Sequence, residues 1–367
     1  MSGTAATARR WEAVPGLWKF LCALAVLFGH NLVTLLAWRP DAPLVGPVYH
    51  LVQFFSPIHF FVFSGYIASS ALGDAKTGLR GFMAGRATRI YVLVAAAFAW
   101  GLGIRLAFLH ATGGISAETP WPLGVWAGPV DWRDALMHLS PFGFADHTRF
   151  NYATWYLYQE LRIVLLFPLF RYVLTRSSSA RRWGLLGLLW FAAAALEYKY
   201  WSHFPLFRSS PFQTLGYGCA FLAGSLLAKD MERFRRIPSG AAAAILVTGI
   251  VVSWLESFHV TIPVSNPPVL LVPTVAGQIL VLVGLGRLLP LDLAVPAPLR
   301  KATEWSVGIY VVHPPLHVVA TWLATTRSDA RWLLLEIALA LVGGALFHRF
   351  VESPSQAWAR AARRLVG

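Results

Sequence analysis

The chain has 367 residues, of which 56% are hydrophobic and only 13% are charged. This composition excludes an ordinary soluble globular protein, in which about 25% of the residues are charged. The net charge of +14 would suit a nucleic-acid partner, but the basic residues lie in short loops between apolar runs, which argues against one. Cys22 and Cys219 are the two cysteines and both lie in apolar runs, so no disulfide framework and no metal site are predicted.

Apolar runs near or above the ~18 residues needed to cross a bilayer recur from end to end. We therefore predict an all-α fold, a polytopic transmembrane helix bundle of about ten spans. No separate soluble region is long enough to fold, so residues 1–367 are predicted to form a single domain. The predicted spans are 17–37, 49–72, 91–110, 152–174, 183–201, 212–228, 241–258, 269–289, 305–325 and 332–350.

The distribution of basic residues predicts the orientation, because cytoplasmic loops carry an excess of Lys and Arg. With the N-terminus inside, twenty basic residues fall in cytoplasmic segments and seven fall on the outer side. Every cytoplasmic segment then contains basic residues. Both termini are therefore predicted to be cytoplasmic, and the number of spans is predicted to be even.

Lys19 and His30 are two ionisable residues inside the first predicted span, where such groups are functional candidates by default. Eleven residues separate them, which is close to three helical turns, so they face the same way roughly 16 Å apart. The lysine, at the cytoplasmic mouth, could hold coenzyme A phosphates while the thioester reaches a histidine that acts as general base. The alternative is a snorkelling lysine and a packing histidine.

Glu160, in the fourth predicted span, lies at about the same depth as His30 by helix arithmetic. A carboxylate beside the imidazole would orient it and stabilise its protonated form, as in a catalytic triad. The alternative is an ion pair with Arg105 or Arg162 that holds helices together.

Three further positions are candidates with a structural alternative. Arg86 and Arg89 lie one helical turn apart; paired guanidinium groups suit phosphate, although basic residues here also serve orientation. Ser64 precedes Gly65 in the run FFVFSGY, where a small pair favours close helix packing. The serine could carry an acyl group, but the sequence shows no base beside it.

Tyr310 and His313 precede Pro314 and Pro315. This arrangement predicts a broken helix whose carbonyl groups line a pore.

Four blocks of this sequence resemble acyltransferase family 3, membrane proteins that O-acylate bacterial surface glycans and small molecules. The blocks are KFLCALAVLFGH at 19–30, FFVFSGY at 60–66, RATRIY at 86–91 and WYLYQELRIVLLFPLF at 155–170. Their order and spacing together are specific, and the resemblance extends over nearly the whole chain. One departure is Lys19, which stands where the family more often has arginine; lysine keeps the charge but loses bidentate phosphate geometry.

The resemblance implies transfer of an acyl group, usually acetyl, from cytoplasmic acetyl-CoA to a hydroxyl at the outer face. It implies that His30 is essential and that Lys19, Arg86 and Arg89 contact the acyl donor. No bound cofactor is expected, since acyl-CoA is a co-substrate. The expected partners are a glycan or small-molecule acceptor and the lipid bilayer, with no nucleic acid. The expected location is the bacterial cytoplasmic (inner) membrane, as a multi-pass protein.

The combined hypothesis makes His30 the base and Glu160 its orienting group, with Ser64, Tyr310 and His313 lining the substrate path. A transporter or flippase is the main alternative, because intramembrane charges also mark substrate pathways. Obvious inverted repeats are absent from the sequence, which argues mildly against it. A non-catalytic scaffold would leave the stripe of Lys19 and His30 without a purpose.

Overall fold

The structure is a computed structural model that describes residues 13–38, 48–49, 52, 58–73, 78–115, 123–126, 128–140, 150–176, 178–200, 211–259, 271–288 and 296–366. Regular structure within these residues is helical throughout. The α-helices are α1 Ala13–Trp38, α2 Ile58–Gly73, α3 Leu79–Thr112, α4 Trp132–His138, α5 Thr154–Ile163, α6 Phe167–Arg176, α7 Ser179–Tyr200, α8 Pro211–Phe234, α9 Ser239–His259, α10 Leu271–Leu288, α11 Ala297–Thr303, α12 Ser306–Arg327, α13 Arg331–Phe347 and α14 Ser353–Val366.

Each predicted span overlaps one of these helices, except that the fourth is divided between two. Residues 50–51 and 53–57 of the second predicted span lie outside the described residues. In the fourth span a 3-10 turn at Val164–Leu166 separates α5 from α6. Pro168 has no backbone N–H to bond the carbonyl of Val164, so the α-helical hydrogen-bond ladder is interrupted at this point.

Several helices have the length and composition of membrane spans. Within the described residues, four are long and apolar enough to cross a bilayer, namely Gly16–Ala37, Leu79–Thr112, Ser306–Arg327 and Arg331–Val366. Shorter apolar helices occur at His59–Leu72, Ser239–Ser253 and Val275–Leu288. A helical membrane protein is therefore confirmed, while the total of about ten spans and the location of both termini stay predictions.

The chain divides into two compact units. The first unit contains the start of α1, then α2 and the helices from α6 to α11. The second contains α1 from Ala23 onward, most of α3, then α4, α5 and the helices from α12 to α14. The prediction of a single domain over 1–367 is not tested by this division and stays a prediction.

Small residues bring α2 and α8 together in the first unit. A Cβ atom at Gly65 would lie 1.8 Å from the carbonyl oxygen of Phe221, and one at Gly224 would lie 1.8 Å from that of Val62. Ser225 Oγ donates to the Gly65 carbonyl oxygen at 2.8 Å. The two backbones therefore touch, as the small pair in FFVFSGY predicted.

The predicted break at Pro314 and Pro315 is wrong, because α12 continues through both prolines. Proline lacks a backbone N–H, so Pro315 cannot bond the carbonyl of Val311. Asn151 Nδ2 donates to that carbonyl oxygen at 2.8 Å, and Trp100 Nε1 donates to the next one along the helix at 3.1 Å. The side chain of Asn151 thus replaces one of the backbone hydrogen bonds that the prolines remove, and α12 continues as a helix.

Glycine also allows α12 and α13 to pack closely in the second unit. A Cβ atom at Gly308 would lie 2.3 Å from the carbonyl oxygen of Gly344. The near contact of these two backbones brings the side chains of α13 against those of α12, including the buried Glu336.

Candidate active site

His30 of α1 and His313 of α12 form a hydrogen-bonded pair in the second unit. His30 Nδ1 lies 2.9 Å from His313 Nε2, and the two rings stack with their centroids 5.1 Å apart. The hydroxyl of Tyr152 lies 3.3 Å from the same nitrogen of His30. The structure thus brings the predicted base together with a residue that the sequence predicted to line a pore.

A backbone carbonyl assigns the protons of this pair. His313 Nδ1 lies 3.0 Å from the carbonyl oxygen of Ile309, and because a carbonyl only accepts, His313 carries its proton on Nδ1. Nε2 of a neutral His313 is then an acceptor, to which His30 Nδ1 donates. A neutral His30 therefore has its lone pair on Nε2, the atom with which it would act as a base.

A second hydroxyl and histidine meet one helical turn further along the same two helices. Thr34 Oγ1 lies 3.1 Å from His317 Nε2, and His317 Nδ1 lies 2.8 Å from Glu336 Oε2 of α13. The ring centroids of His30 and His317 are 5.9 Å apart. Because both contacts advance by four residues on each helix, α1 and α12 run in the same direction here.

Glu160 contacts an arginine and a tyrosine. Its Oε1 accepts from Arg86 Nη2 at 3.3 Å and from the hydroxyl of Tyr156 at 2.6 Å. The ring of His30 is held by His313 and Tyr152, and the orienting role of Glu160 stays a prediction. The alternative of an ion pair with Arg105 or Arg162 also stays a prediction; the structure shows an ion pair of Glu160 with Arg86, and Arg105 donates to the carbonyl oxygen of Gly128 at 3.2 Å.

Tyr152, just before α5, approaches His30 with its side chain, while Glu160 lies about two turns further along the chain. Tyr310 of α12 contacts both Tyr156 of α5 and His313 of its own helix. Its ring packs edge-on against Tyr156, with centroids 5.7 Å apart, and against His313, with centroids 6.0 Å apart.

Lys19 and Ser64 meet in the first unit. Lys19 Nζ donates to Ser64 Oγ at 3.3 Å. Two residues predicted from separate sequence blocks are therefore in contact. Ser64 is buried and the neighbouring Gly65 packs against α8, so this part of α2 also serves helix packing.

Arg86 and Arg89 each pair with a carboxylate in the second unit. Arg86 lies 3.3 Å from Glu160, which is buried. Arg89 Nη2 lies 2.5 Å from Glu352 Oε1, and the Arg89 side chain is 40% exposed. The first arginine is therefore part of a largely enclosed ion pair, whereas the second retains a solvent-accessible face.

A family model described as an acyltransferase domain, that of acyltransferase family 3, matches residues 15–349. The chain belongs to acyltransferase family 3. The match includes every block on which the resemblance was based, so the family prediction is confirmed. No curated protein and no solved structure matches the chain.

Three residues near the site of this acyltransferase, namely Thr34, His317 and Glu336, were not predicted from the sequence. The signals were present in the sequence. Glu336 interrupts the apolar run WLLLEIALAL, and Thr34 and His317 each follow a recognised histidine by four residues. Residues four apart share a helix face, so the neighbours of His30 and His313 were candidates by spacing alone.

Proposed function

We propose that this acyltransferase moves an acyl group, most simply acetyl, from cytoplasmic acyl-CoA to a hydroxyl of a glycan or other acceptor. In the proposal the acceptor is presented at the outer face of the bacterial inner membrane. The observation that carries the proposal is the pair of His30 and His313. A histidine whose tautomer leaves a lone pair on Nε2, in a helix that crosses a membrane, is suited to activate a hydroxyl.

His30 would take the proton of the acceptor hydroxyl on Nε2 as the acceptor oxygen attacks the acyl carbonyl carbon. The bond from that carbon to its carrier atom, the sulfur of coenzyme A in direct transfer, then breaks, and the departing atom takes up a proton. The resulting imidazolium keeps its hydrogen bond from Nδ1 to Nε2 of His313. A partner on the far ring nitrogen that stabilises the imidazolium is the role that a carboxylate plays in a catalytic triad. Here a neutral histidine, itself fixed by a backbone carbonyl, takes that position.

The proposal assigns the donor phosphates to Lys19, Arg86 and Arg89. Lys19 is held by Ser64 at 3.3 Å, which positions a point charge near the start of α1. The guanidinium group of Arg89 presents several donors in a planar fork suited to phosphate. A phosphate would approach the guanidinium group from its exposed side. Arg89 would then contact the phosphate and Glu352 at the same time.

Arg89→Gln is expected to raise the KM for acetyl-CoA about tenfold and to change kcat less. An arginine that binds a donor phosphate stabilises the bound substrate and the transition state about equally, and its loss therefore acts on KM. The matched control is Arg80→Gln, an exposed arginine near the start of the same helix. Steady-state kinetics in detergent measure both constants. An unchanged KM in Arg89→Gln would remove this residue from the donor site.

The function itself is tested with inverted membrane vesicles from a bacterial host that expresses the protein. Vesicles are incubated with acetyl-CoA labelled in the acetyl group, and label is then measured in the envelope glycans and in the released acetate. Expression of the wild type is expected to increase acetyl-CoA consumption above that of vesicles with an empty vector. Succinyl-CoA is tested in parallel, because the acyl group is part of the proposal.

Two results would contradict the proposal. Vesicles that consume neither thioester faster than the empty-vector control would exclude acyl transfer from these donors. Uptake of a labelled solute that depends on the protein, without thioester consumption, would support a transporter instead.

A further inference from the structure

Thr34, His317 and Glu336 form a connected chain of hydroxyl, imidazole and carboxylate. The three residues are 4%, 0% and 1% exposed. A nucleophile within hydrogen-bond distance of a base, with that base oriented by a third group, is the structural signature of covalent catalysis. The distances of 3.1 Å and 2.8 Å fit that signature.

The protons of this chain are assigned by its carboxylate end. Glu336 Oε2 accepts from His317 Nδ1, so a neutral His317 has its lone pair on Nε2. That lone pair faces Thr34 Oγ1, and the threonine hydroxyl therefore donates to it. This is the protonation state in which a histidine removes a proton from an attacking hydroxyl.

A purely structural role accounts poorly for the carboxylate. Glu336 lies in an apolar stretch of α13, and within the described part of the chain its second oxygen, Oε1, has no hydrogen-bond partner. A buried and partly unsatisfied carboxylate costs free energy that an apolar residue of similar volume would not. The helices would pack at least as well without it, so a chemical role explains its presence better.

We propose that Thr34 is the nucleophile that carries the acyl group from the donor to the acceptor, which extends and rests on the proposed acyl transfer. Thr34 Oγ1 forms a bond to the thioester carbonyl carbon, and the carbon–sulfur bond breaks. The hydroxyl proton moves to His317 Nε2 and then to the departing sulfur, which leaves as the free thiol of coenzyme A. The product is an oxygen ester on Thr34.

The second half of the reaction returns the enzyme to its starting state. The acceptor oxygen attacks the ester carbonyl carbon while its proton moves to His30. The bond to Thr34 Oγ1 breaks, and that oxygen takes up one proton through His317 as His30 releases one. His317 thus serves as the base in the first step and His30 in the second. The two rings lie on neighbouring helices, with their centroids 5.9 Å apart.

An exchange reaction tests the intermediate without any acceptor. Purified protein is incubated with unlabelled acetyl-CoA and labelled coenzyme A, because label enters acetyl-CoA only if the acyl group rests on the enzyme while the thiol departs. Wild type and Thr34→Ser are expected to exchange. Thr34→Val, which replaces the hydroxyl with a methyl group, and His317→Ala are each expected to exchange at least about a hundredfold more slowly.

Three controls keep the test decisive. Thr326→Val removes an exposed hydroxyl that donates to its own helix backbone and is expected to exchange at the wild-type rate. Mass spectrometry of acid-quenched wild type is expected to find the acetyl group on the peptide that contains Thr34. Combined replacement of Cys22 and Cys219 by alanine excludes a thioester on either cysteine, and exchange is expected to persist.

Several outcomes overturn the proposal and separate it from acyl transfer in general. If membranes containing Thr34→Val transfer acetyl groups at the wild-type rate, or if wild type transfers without exchange, Thr34 is not the nucleophile and the proposed function stands. An acetyl group that mass spectrometry finds on another residue would also show that Thr34 is not the nucleophile. If the wild type uses no thioester under any condition, the proposed function fails, and the role of Thr34 fails with it.

Discussion

Replacing His30 with alanine is expected to lower acyl transfer about a thousandfold while leaving the amount of folded protein unchanged. Loss of a positioned general base costs roughly 10²–10⁴ in rate, and the Nε2 lone pair that activates the acceptor hydroxyl disappears with the ring. The measurement is acetyl incorporation per milligram of folded protein, using membranes in which expression has been normalised. His30→Gln is expected to be as inactive, because an amide hydrogen-bonds but does not take up a proton.

The matched control is His110→Ala, since His110 is an exposed histidine at the end of α3. This variant is expected to retain wild-type transfer. His313→Ala removes the hydrogen-bond acceptor of His30 and is expected to lower kcat about tenfold or more with a smaller change in KM. Retention of wild-type transfer by His30→Ala in folded protein would rule out this histidine as the base.

Gly65→Ala is expected to reduce the stability of the protein sharply, by about 2 kcal/mol or more. The added Cβ would lie 1.8 Å from the carbonyl oxygen of Phe221. Backbone cannot rotate out of the way as a flexible side chain can, so α2 and α8 must separate and lose their close contact. Thermal unfolding in detergent, followed by tryptophan fluorescence, measures the change. Gly224→Ala is expected to act in the same way through Val62.

The control for these substitutions is Gly187→Ala in α7, where no atom lies within 4 Å of the added Cβ. Because alanine is favoured over glycine in a helix, this variant is expected to be as stable as the wild type or more so, by about 0.5–1 kcal/mol. Equal stability of Gly65→Ala and Gly187→Ala would show that α2 and α8 are further apart than described here.

The helices were the most predictable part of this protein. A bilayer requires long apolar helices with internally satisfied backbones, and this requirement leaves a plain signal in the sequence. Helical periodicity also placed Lys19 and His30 on one stripe, and both have polar partners in the structure. These predictions depend only on the local sequence around each residue and on the lipid environment, and the composition of the sequence indicates that environment.

Partners from distant parts of the chain were harder to predict. The ion pair of Glu160 with Arg86 was not expected, and the match of Glu160 with His30 stays a prediction. The prolines of α12 were expected to break the helix, yet Asn151 supplies a hydrogen bond to a carbonyl that they leave open. Depth and local propensity do not specify which side of a helix faces which neighbour.

Composition, hydrophobic periodicity and motif order were thus sufficient to identify a helical membrane protein of acyltransferase family 3. The partners of His30, and the chain from Thr34 through His317 to Glu336, emerged only when helices far apart in sequence were packed together. A lipid environment imposes its rules on each span separately, so those rules can be read locally. The choice of contacting side chains depends on how the helices rotate and pack against one another, which is a property of the assembled bundle.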